Sequence, residues 1–128
     1  MNAEKFTKKS LQVVENCEKL AYEYNNQEID QEHILYSLIT VDDSLIAKLI
    51  EKMDIDLQHF SKEAEKLVAY RPKVSGGNLF TSSDFQKTFV EAEKEADQMG
   101  DSYISVEHIF LALLKRPNKA LKGLFMGY

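Results

Sequence analysis

Residues 29–39 read IDQEHILYSLI, and residues 104–114 read ISVEHIFLALL. The two Glu-His pairs, at 32–33 and at 107–108, are 75 positions apart. The same spacing extends without a gap to further pairs, among them Thr7 with Ser82, Glu18 with Glu93, and Leu49 with Leu124. Internal duplication of this kind indicates that two copies of one supersecondary unit pack on each other.

The composition is that of an ordinary globular domain. The chain has 128 residues, 44% of them hydrophobic and 29% charged, which suffices for one core. Its formal net charge of −5 argues against a nucleic-acid surface, which would need a basic stripe. No apolar run approaches the roughly 20 residues of a membrane span, and no signal peptide is recognisable. With a single cysteine, Cys17, expected in the core, we expect a cytoplasmic protein without disulfides.

Four amphipathic helices are predicted in the first unit, because apolar residues recur there every three or four positions. The first begins after the N-cap Thr7 and ends at Asn25-Asn26. The others are predicted after the N-cap Asp30, at about Ser44–Met53 and at about Leu57–Ala69. The apolar face of the third is expected to comprise Leu45, Ile46, Leu49, Ile50 and Met53.

The second unit repeats this pattern but stops earlier. Ser82 or Ser83, then Ser105, cap its first two helices, and a last helix is predicted at about Asn118–Met126. Nothing after it corresponds to Leu57–Ala69, and we interpret the end as a boundary within a longer protein. We therefore predict an all-α, pseudo-twofold fold of two four-helix units, the second without its last helix. Its parts are repeat 1 at about 7–70, a linker at about 71–82 and repeat 2 at about 83–128.

No catalytic arrangement is recognisable. A phosphate-binding loop is missing, and each Glu-His pair offers one histidine where a zinc helix needs two. No serine or cysteine stands in a pattern that suggests an activated nucleophile. We expect His33 and His108 each to bond to the backbone or a nearby loop of its own repeat. The weaker alternative is a metal-dependent hydrolase in which the two histidines meet on the pseudo-twofold axis.

The repeated glutamates have two interpretations. Glu32 and Glu107 lie in the first turns of their helices, where a carboxylate is stabilised by free N–H groups and the helix dipole. That alone accounts for an acid in both copies. Alternatively, the pair forms, with Asp101 in the preceding loop, an acidic recognition site for a basic or polar segment of a partner.

The duplicated Glu-His-Ile motif at this spacing resembles the amino-terminal double repeat of Clp ATPases. Three further segments most resemble the ClpB disaggregase branch: Lys5-Phe6-Thr7, Arg71–Gly76 and Gly100–His108. The resemblance covers essentially the whole chain and involves motif, order and spacing together. It implies an all-α domain tethered by a mobile linker to AAA+ ATPase modules that assemble as a hexamer.

The resemblance also implies a role. The domain would have no ATPase activity or cofactor of its own, and ATP and Mg would belong to the ATPase modules. It would bind unfolded or aggregated polypeptides weakly and pass them to the AAA+ ring. A DnaK-type chaperone system would be a partner of the full-length protein. The isolated domain is expected to be a monomer that binds neither nucleic acid nor membrane.

Several site residues follow from the resemblance. A starting threonine, and an aspartate and a glutamate around the second repeat, match Thr7, Asp101 and Glu107, with Glu32 as the counterpart in repeat 1. In the related ClpC branch, which docks folded adaptors or phosphoarginine-tagged clients for a protease, each Glu-His is preceded by threonine. Here Gln31 and Val106 replace both hydroxyls, which weakens that alternative.

A groove along the seam between the units is the expected client site. An unfolded segment would place apolar side chains in it, and the candidate lining residues are Leu79, Phe80 and Tyr103. The alternative is that all three are ordinary loop anchors.

Overall fold

The computed structural model describes residues 2–128, which fold into paired helices. Within that range the helices are α1 (Lys8–Glu23), α2 (Gln31–Thr40), α3 (Leu45–Lys52), α4 (Leu57–Ala69), α5 (Ser83–Gln98), α6 (Val106–Lys115) and α7 (Lys119–Met126). Two short strands, β1 (Glu28–Ile29) and β2 (Phe80–Thr81), form a parallel pair, and a 3₁₀ turn covers Ala3–Lys5. The predicted all-α fold is confirmed. None of these helices is long and apolar enough to cross a membrane.

The duplication is visible in the helix bounds. α5 and α6 begin and end 75 positions after α1 and α2. The caps of α1 and α5 also correspond, since the Thr7 hydroxyl accepts from the N–H of Ser10 and the Ser82 hydroxyl from that of Phe85. α7 begins only 74 positions after α3. The gap-free offset predicted from the sequence therefore holds through α6 and slips by one residue at the start of α7.

The two repeats exchange the short segments that precede their first helices. The Thr7 N–H donates to the Ile104 carbonyl at 3.0 Å, and the Ser82 N–H donates to the Ile29 carbonyl at 2.9 Å. Each segment thus pairs with the loop before the second helix of the other repeat. Because the two pairings are related by the 75-residue offset, they define a pseudo-twofold axis and join the repeats into one domain.

The core lies between the two central helices, α2 and α6. Their inward side chains are fully buried, and Phe6 from the exchanged N-terminal segment packs edge-on against Phe89 of α5 with ring centroids 5.9 Å apart. The largest of these buried side chains are Ile34, Leu35, Leu38, Ile109 and Leu113. Cys17 is buried as predicted.

The two repeats differ in what covers their outer sides. α4 packs on α2 and contacts α7, and the ring of Phe60 lies with its centroid 5.1 Å from that of Tyr128, which follows α7. Residues 2–128 include no counterpart of α4 over the second repeat. Leu114 of α6 is accordingly 44% exposed, whereas its counterpart Ile39 on α2 is 7% exposed.

The predicted apolar face of α3 is only partly buried. Ile46 and Ile50 lie in the core, but Leu45, Leu49 and Met53 are exposed. The expectation that all five face inward is therefore wrong. A helix of this length rests on the core along one narrow stripe, and no further helix in residues 2–128 covers its outer flank.

Candidate functional site

His33 is a structural histidine. Its Nδ1 accepts from the backbone N–H of Asp30 at 3.0 Å, which leaves the proton on Nε2, and Nε2 donates to Oδ1 of Asn26 at 2.9 Å. Burial, followed by the nearby charge of Arg71, lowers its pKa to about 4. The ring is therefore neutral at physiological pH and closes the loop before α2 onto the first turn of that helix.

His108 repeats this arrangement with one change. Its Nδ1 accepts from the backbone N–H of Ser105 at 2.9 Å, and its Nε2 donates to Oδ2 of Asp101 at 2.8 Å. The predicted hydrogen bonding of both histidines within their own repeats is confirmed. Both ring nitrogens of each are engaged, so the arrangement gives no support to a metal shared by His33 and His108.

Arg71 is the centre of a buried ionic cluster in the first repeat. Its guanidinium, with the side chain 13% exposed, donates to Glu28 at 2.5 Å, to Glu32 at 2.6 Å and to Asp30 at 3.3 Å. The other oxygen of Glu32 accepts from Nδ2 of Asn118 at 2.7 Å. Both carboxylate oxygens of Glu32 are thus engaged inside the protein, and a partner can reach Glu32 only if Arg71 moves away.

Gln31 adds a second connection between the repeats. Its side-chain amide donates to the hydroxyl of Thr88 and to the carbonyl of Arg116, and its carbonyl accepts from the backbone N–H of Asn118. Since Gln31 is buried, all these groups would be costly to leave unpaired. The start of α2 is therefore tied to α5 and to the connection that leads into α7.

The matching positions of the second repeat are open. Arg71's three acidic partners correspond to Tyr103, Ser105 and Glu107, of which Tyr103 and Glu107 are exposed. No ion pair or side-chain hydrogen bond involves Glu107 within residues 2–128. Asp101, half exposed, uses one oxygen for His108. The predicted acidic pair is therefore asymmetric: the structure buries Glu32 and leaves Glu107 and Asp101 at the surface.

Thr7 lies at the junction of the repeats. Its hydroxyl caps α1 by accepting from the N–H of Ser10 and donates to the Ser10 hydroxyl at 2.9 Å. The Ser10 hydroxyl in turn donates to the carbonyl of Ile104 at 2.7 Å. The half-buried Thr7 side chain therefore connects the start of α1 to the second repeat.

An apolar groove runs beside α5. It has a volume of about 820 Å³ and lies between the outer face of α5 and the exchanged N-terminal segment. Val90, on its wall, is 59% exposed. The apolar lining consists of Phe6, Phe85, Phe89, Val90 and Ile104. Polar residues also line it: Asn2, Thr81, Gln86, Glu93, Lys94 and Asp97.

The groove reflects a difference between the repeats. The positions of α1 that match Phe85 and Val90 are Ser10 and Glu15. In α1 a hydroxyl thus stands in place of the Phe85 ring and a carboxylate in place of Val90. The matching surface of α1 is therefore polar. The duplication alone therefore does not reveal the groove.

The residues predicted to line a seam groove lie near this groove but not in its wall. Leu79 packs half-buried on the core, whereas Phe80 and Tyr103 are exposed. Their immediate neighbours, Thr81 and Ile104, are lining residues. Phe80 and Tyr103 are therefore sequence neighbours of groove-lining residues but do not line the groove themselves.

Sequence reasoning missed the roles of Arg71, Gln31 and Asn118. In the sequence, Arg71 stands out only as the first residue of the segment Arg71–Gly76 that resembles the ClpB branch. The available signal was the concentration of acids at positions 28, 30 and 32, which needs a cation when buried. The position of that cation, about 40 residues further along the chain, was not readable from local pattern.

The fold and groove define a class: a duplicated helical domain whose repeats exchange their leading segments and present an apolar surface groove. The family model described as the Clp repeat (R) N-terminal domain matches residues 5–126. The chain belongs to this family.

Similar proteins agree with that assignment. The chain is 34% identical over 117 residues to the chaperone protein ClpB of Bacillus cereus, an alignment that covers 88% of this chain and 14% of that protein. The chain thus spans about a seventh of the length of this relative. The Hsp104 N-terminal domain from Candida albicans superposes with a TM-score of 0.84 at 22% identity, covering 96% of this chain and 81% of that one. A ClpV N-domain, solved in complex with a VipB peptide, superposes with a TM-score of 0.75 at 19% identity, covering 97% and 79%.

Proposed function

We propose that this domain binds unfolded or aggregated polypeptides as an accessory domain of an ATP-dependent disaggregase. The observation that carries the proposal is the groove on α5, where the exposed Val90 lies beside the largely buried rings of Phe85 and Phe89. The ClpV N-domain in complex with a VipB peptide supports it, because a domain of the same fold binds a peptide.

The expected binding is weak and tolerant of sequence. Each fully buried aliphatic or aromatic side chain contributes about 1.5–3 kcal/mol. Association costs about 4–15 kcal/mol in lost translational and rotational freedom. Burial of two or three client side chains in the groove therefore leaves only a small net binding free energy. Several domains held on one ring would raise the effective concentration and make weak contacts useful.

The polar residues near the groove supply the proposed remainder of the site. Asp101, Glu107 and Tyr103 are exposed and follow the end of α5, and Thr7 holds the exchanged N-terminal segment against Ile104 in the groove wall. Phe80 precedes the lining residue Thr81. Leu79 and the buried Glu32 would act by supporting the loops around the site.

The full-length assembly is part of the proposal. ATP and Mg would act in AAA+ modules outside this sequence, in a hexamer that receives the client, in cooperation with a DnaK-type chaperone system. We place this work in the cytoplasm. The relatives named chaperone protein ClpB support the chaperone part of this proposal.

The experiment is an NMR titration of the labelled domain with a permanently unfolded protein, such as reduced and carboxymethylated lactalbumin. Resonances of Phe85, Phe89 and Val90 should shift. Val90→Glu, which installs the residue found at the matching position Glu15 of α1, should weaken binding by at least about tenfold.

The matched control is Met99→Glu, which places the same charge on an exposed apolar position just after α5 and outside the groove wall. It should leave binding unchanged. Equal affinity of Val90→Glu and the unsubstituted chain would contradict the proposal. Indifference to the unfolded protein, with saturable binding of a folded adaptor, would favour the docking alternative.

A further inference from the structure

The strand β2 has one paired edge and one open edge. The paired edge faces β1 and the residue before it, whose carbonyls accept from the N–H groups of Phe80 and Ser82 at 3.0 Å and 2.9 Å. The peptide bonds of residues 2–128 are all trans, so each carbonyl points opposite to the N–H that follows it. The carbonyls of Leu79 and Thr81, which precede those two N–H groups, therefore point away from β1.

The N–H of Thr81 points the same way. The register places Thr81 beside Ile29, and in a parallel ladder Ile29 then bonds to Phe80 and Ser82, the two neighbours of Thr81. Within residues 2–128, neither the N–H nor the carbonyl of Thr81 has a hydrogen-bond partner. Its side-chain hydroxyl accepts from the amide of Gln86. Thr81 thus presents a free backbone donor and a free backbone acceptor at the open edge.

The matching edge of the first repeat is closed. Phe6 lies 75 positions before Thr81 and forms the equivalent parallel bridge, with Ile104. The Phe6 N–H donates to the carbonyl of Ala3 at 3.2 Å, at the end of the 3₁₀ turn. In the described part of the chain no such turn precedes β2. The duplication therefore gives two related edges, of which the one at Thr81 is open.

The open edge meets the groove at Thr81. Thr81 is a lining residue of the groove. The side chain of Phe80 points to the opposite face of the strand and is 51% exposed. A further strand beside β2 would place one set of its alternate side chains at the groove and the other set at the Phe80 ring.

The chemistry of the edge favours an unfolded chain as its partner. Free N–H and C=O groups on an edge strand can pair with any extended segment whose own backbone groups are free, whatever its side chains. In a folded protein nearly all such buried groups are already paired. β2 has two residues, and so short an edge contributes little of the roughly 1,200 Å² that a stable contact between two folded copies needs.

We propose that the open edge of β2 binds an extended segment of an unfolded polypeptide as an added strand. The N–H and carbonyl of Thr81 bond to the backbone of that segment, and alternate side chains of the segment enter the groove. This inference rests on the proposed function and deepens it, because it names the conformation in which the client binds. It also gives a reason for tolerance of sequence, since every extended chain has the same backbone groups.

The probe is a heptapeptide of alternating serine and valine, blocked at both ends. In an extended strand its valine N–H groups lie along one edge and its serine N–H groups along the other. Two versions, N-methylated at every valine or at every serine, therefore each lose the donors of one edge. The unmethylated peptide, titrated into the labelled chain, should shift the Thr81 amide resonance and slow its exchange with solvent. One N-methylated version, and not the other, should bind about tenfold more weakly.

The matched variants are Thr81→Pro and Thr81→Val. Proline removes the outward N–H and leaves the bonds to β1 in place, which is the position in a strand that tolerates proline. Valine keeps the N–H and removes only the hydroxyl that accepts from Gln86. Thr81→Pro should bind the unmethylated peptide about tenfold more weakly, and Thr81→Val should bind it as the unsubstituted chain does. Unchanged resonances of α2 and α6 would verify the fold of both.

The inference would be overturned by an unshifted Thr81 amide, by equal binding of the two N-methylated peptides, or by equal binding by Thr81→Pro and Thr81→Val. A Thr81 shift that grows with protein concentration in the absence of peptide would assign the edge to a second copy and would also overturn it. The proposed function fails by a different result, equal binding of the unfolded protein by Val90→Glu and the unsubstituted chain.

Discussion

Arg71 donates to Glu32 at 2.6 Å across 39 positions of sequence, and the other oxygen of Glu32 accepts from Asn118. Seventy-five positions later, Glu107 is exposed. The same residue in the same turn of two duplicated helices thus has an internal role in one repeat and a surface position in the other.

Removing the Arg71 guanidinium should be strongly destabilising. Arg71→Met would leave Glu28, Asp30 and Glu32 without their cation in a largely buried site. Breaking a buried ion pair from one side costs about 3–5 kcal/mol. Urea unfolding followed by circular dichroism would measure the loss. The control Arg116→Met removes an exposed cation from Glu91 and should cost about 1 kcal/mol or less. Equal losses of stability in the two variants would contradict a larger contribution of the Arg71 cluster.

The matched pair Ile39 and Leu114 should respond differently to truncation. Ile39→Ala should reduce the free energy of unfolding by about 2–5 kcal/mol, because the Ile39 side chain is buried in the core. Leu114→Ala should change it by about 0.5 kcal/mol or less, because its side chain is already half solvated. Chemical denaturation of residues 1–128 measures both. A large loss for Leu114→Ala would mean that its side chain is covered in solution.

His33 should make folding stability depend on pH. The pKa of its imidazole is lowered from 6.5 to about 4, first by burial and then by the Arg71 charge. Between pH 4 and 6.5, the unfolded state therefore binds a proton at His33 and the folded state does not. This contribution to stability is fully present above pH 6.5 and is lost as the pH falls towards 4, by about 3 kcal/mol in all.

The check is urea unfolding of the domain and of His33→Gln at several pH values between 4 and 7. The variant should be less stable at pH 7. It should also lose less stability on acidification, because it lacks the His33 imidazole, whereas the acidic residues titrate in both proteins. Parallel pH profiles for the two chains would contradict a lowered pKa for His33.

The Thr7 hydroxyl should contribute to stability independently of client binding. Thr7→Ala removes the α1 cap and the hydrogen bond to Ser10, which should cost about 1 kcal/mol. Thr7→Ser keeps the hydroxyl and should restore most of that loss. Thermal unfolding of the three chains distinguishes them. If Thr7→Ala were as stable as the unsubstituted chain, any effect of Thr7 on client handling would have to come from direct contact.

Much of the fold could be predicted because its signals are local. Helix caps at Thr7, Asp30 and Ser105 and the apolar periodicity between them depend on neighbours within a few positions. The bonding of the two histidines within their own repeats followed from the same short range. The outer flank of α3 was misassigned, because burial of Leu45 and Leu49 depends on which distant helix covers them.

The candidate site was less accessible to sequence reasoning. Phe85, Phe89 and Val90 have the spacing of an ordinary core-facing helix, and no pattern shows that one side of them borders an open groove. Arg71 likewise gave no local sign that it would reach three carboxylates.

By itself, then, the sequence determined the duplication, the helices and the family, because repeated motifs and capping residues act over short distances. Only the tertiary structure decided that the leading segments are exchanged, that Glu32 is paired with Arg71 and that Glu107 is exposed. These outcomes depend on contacts between segments tens of residues apart, where packing and charge pairing, not local preference, set the free energy.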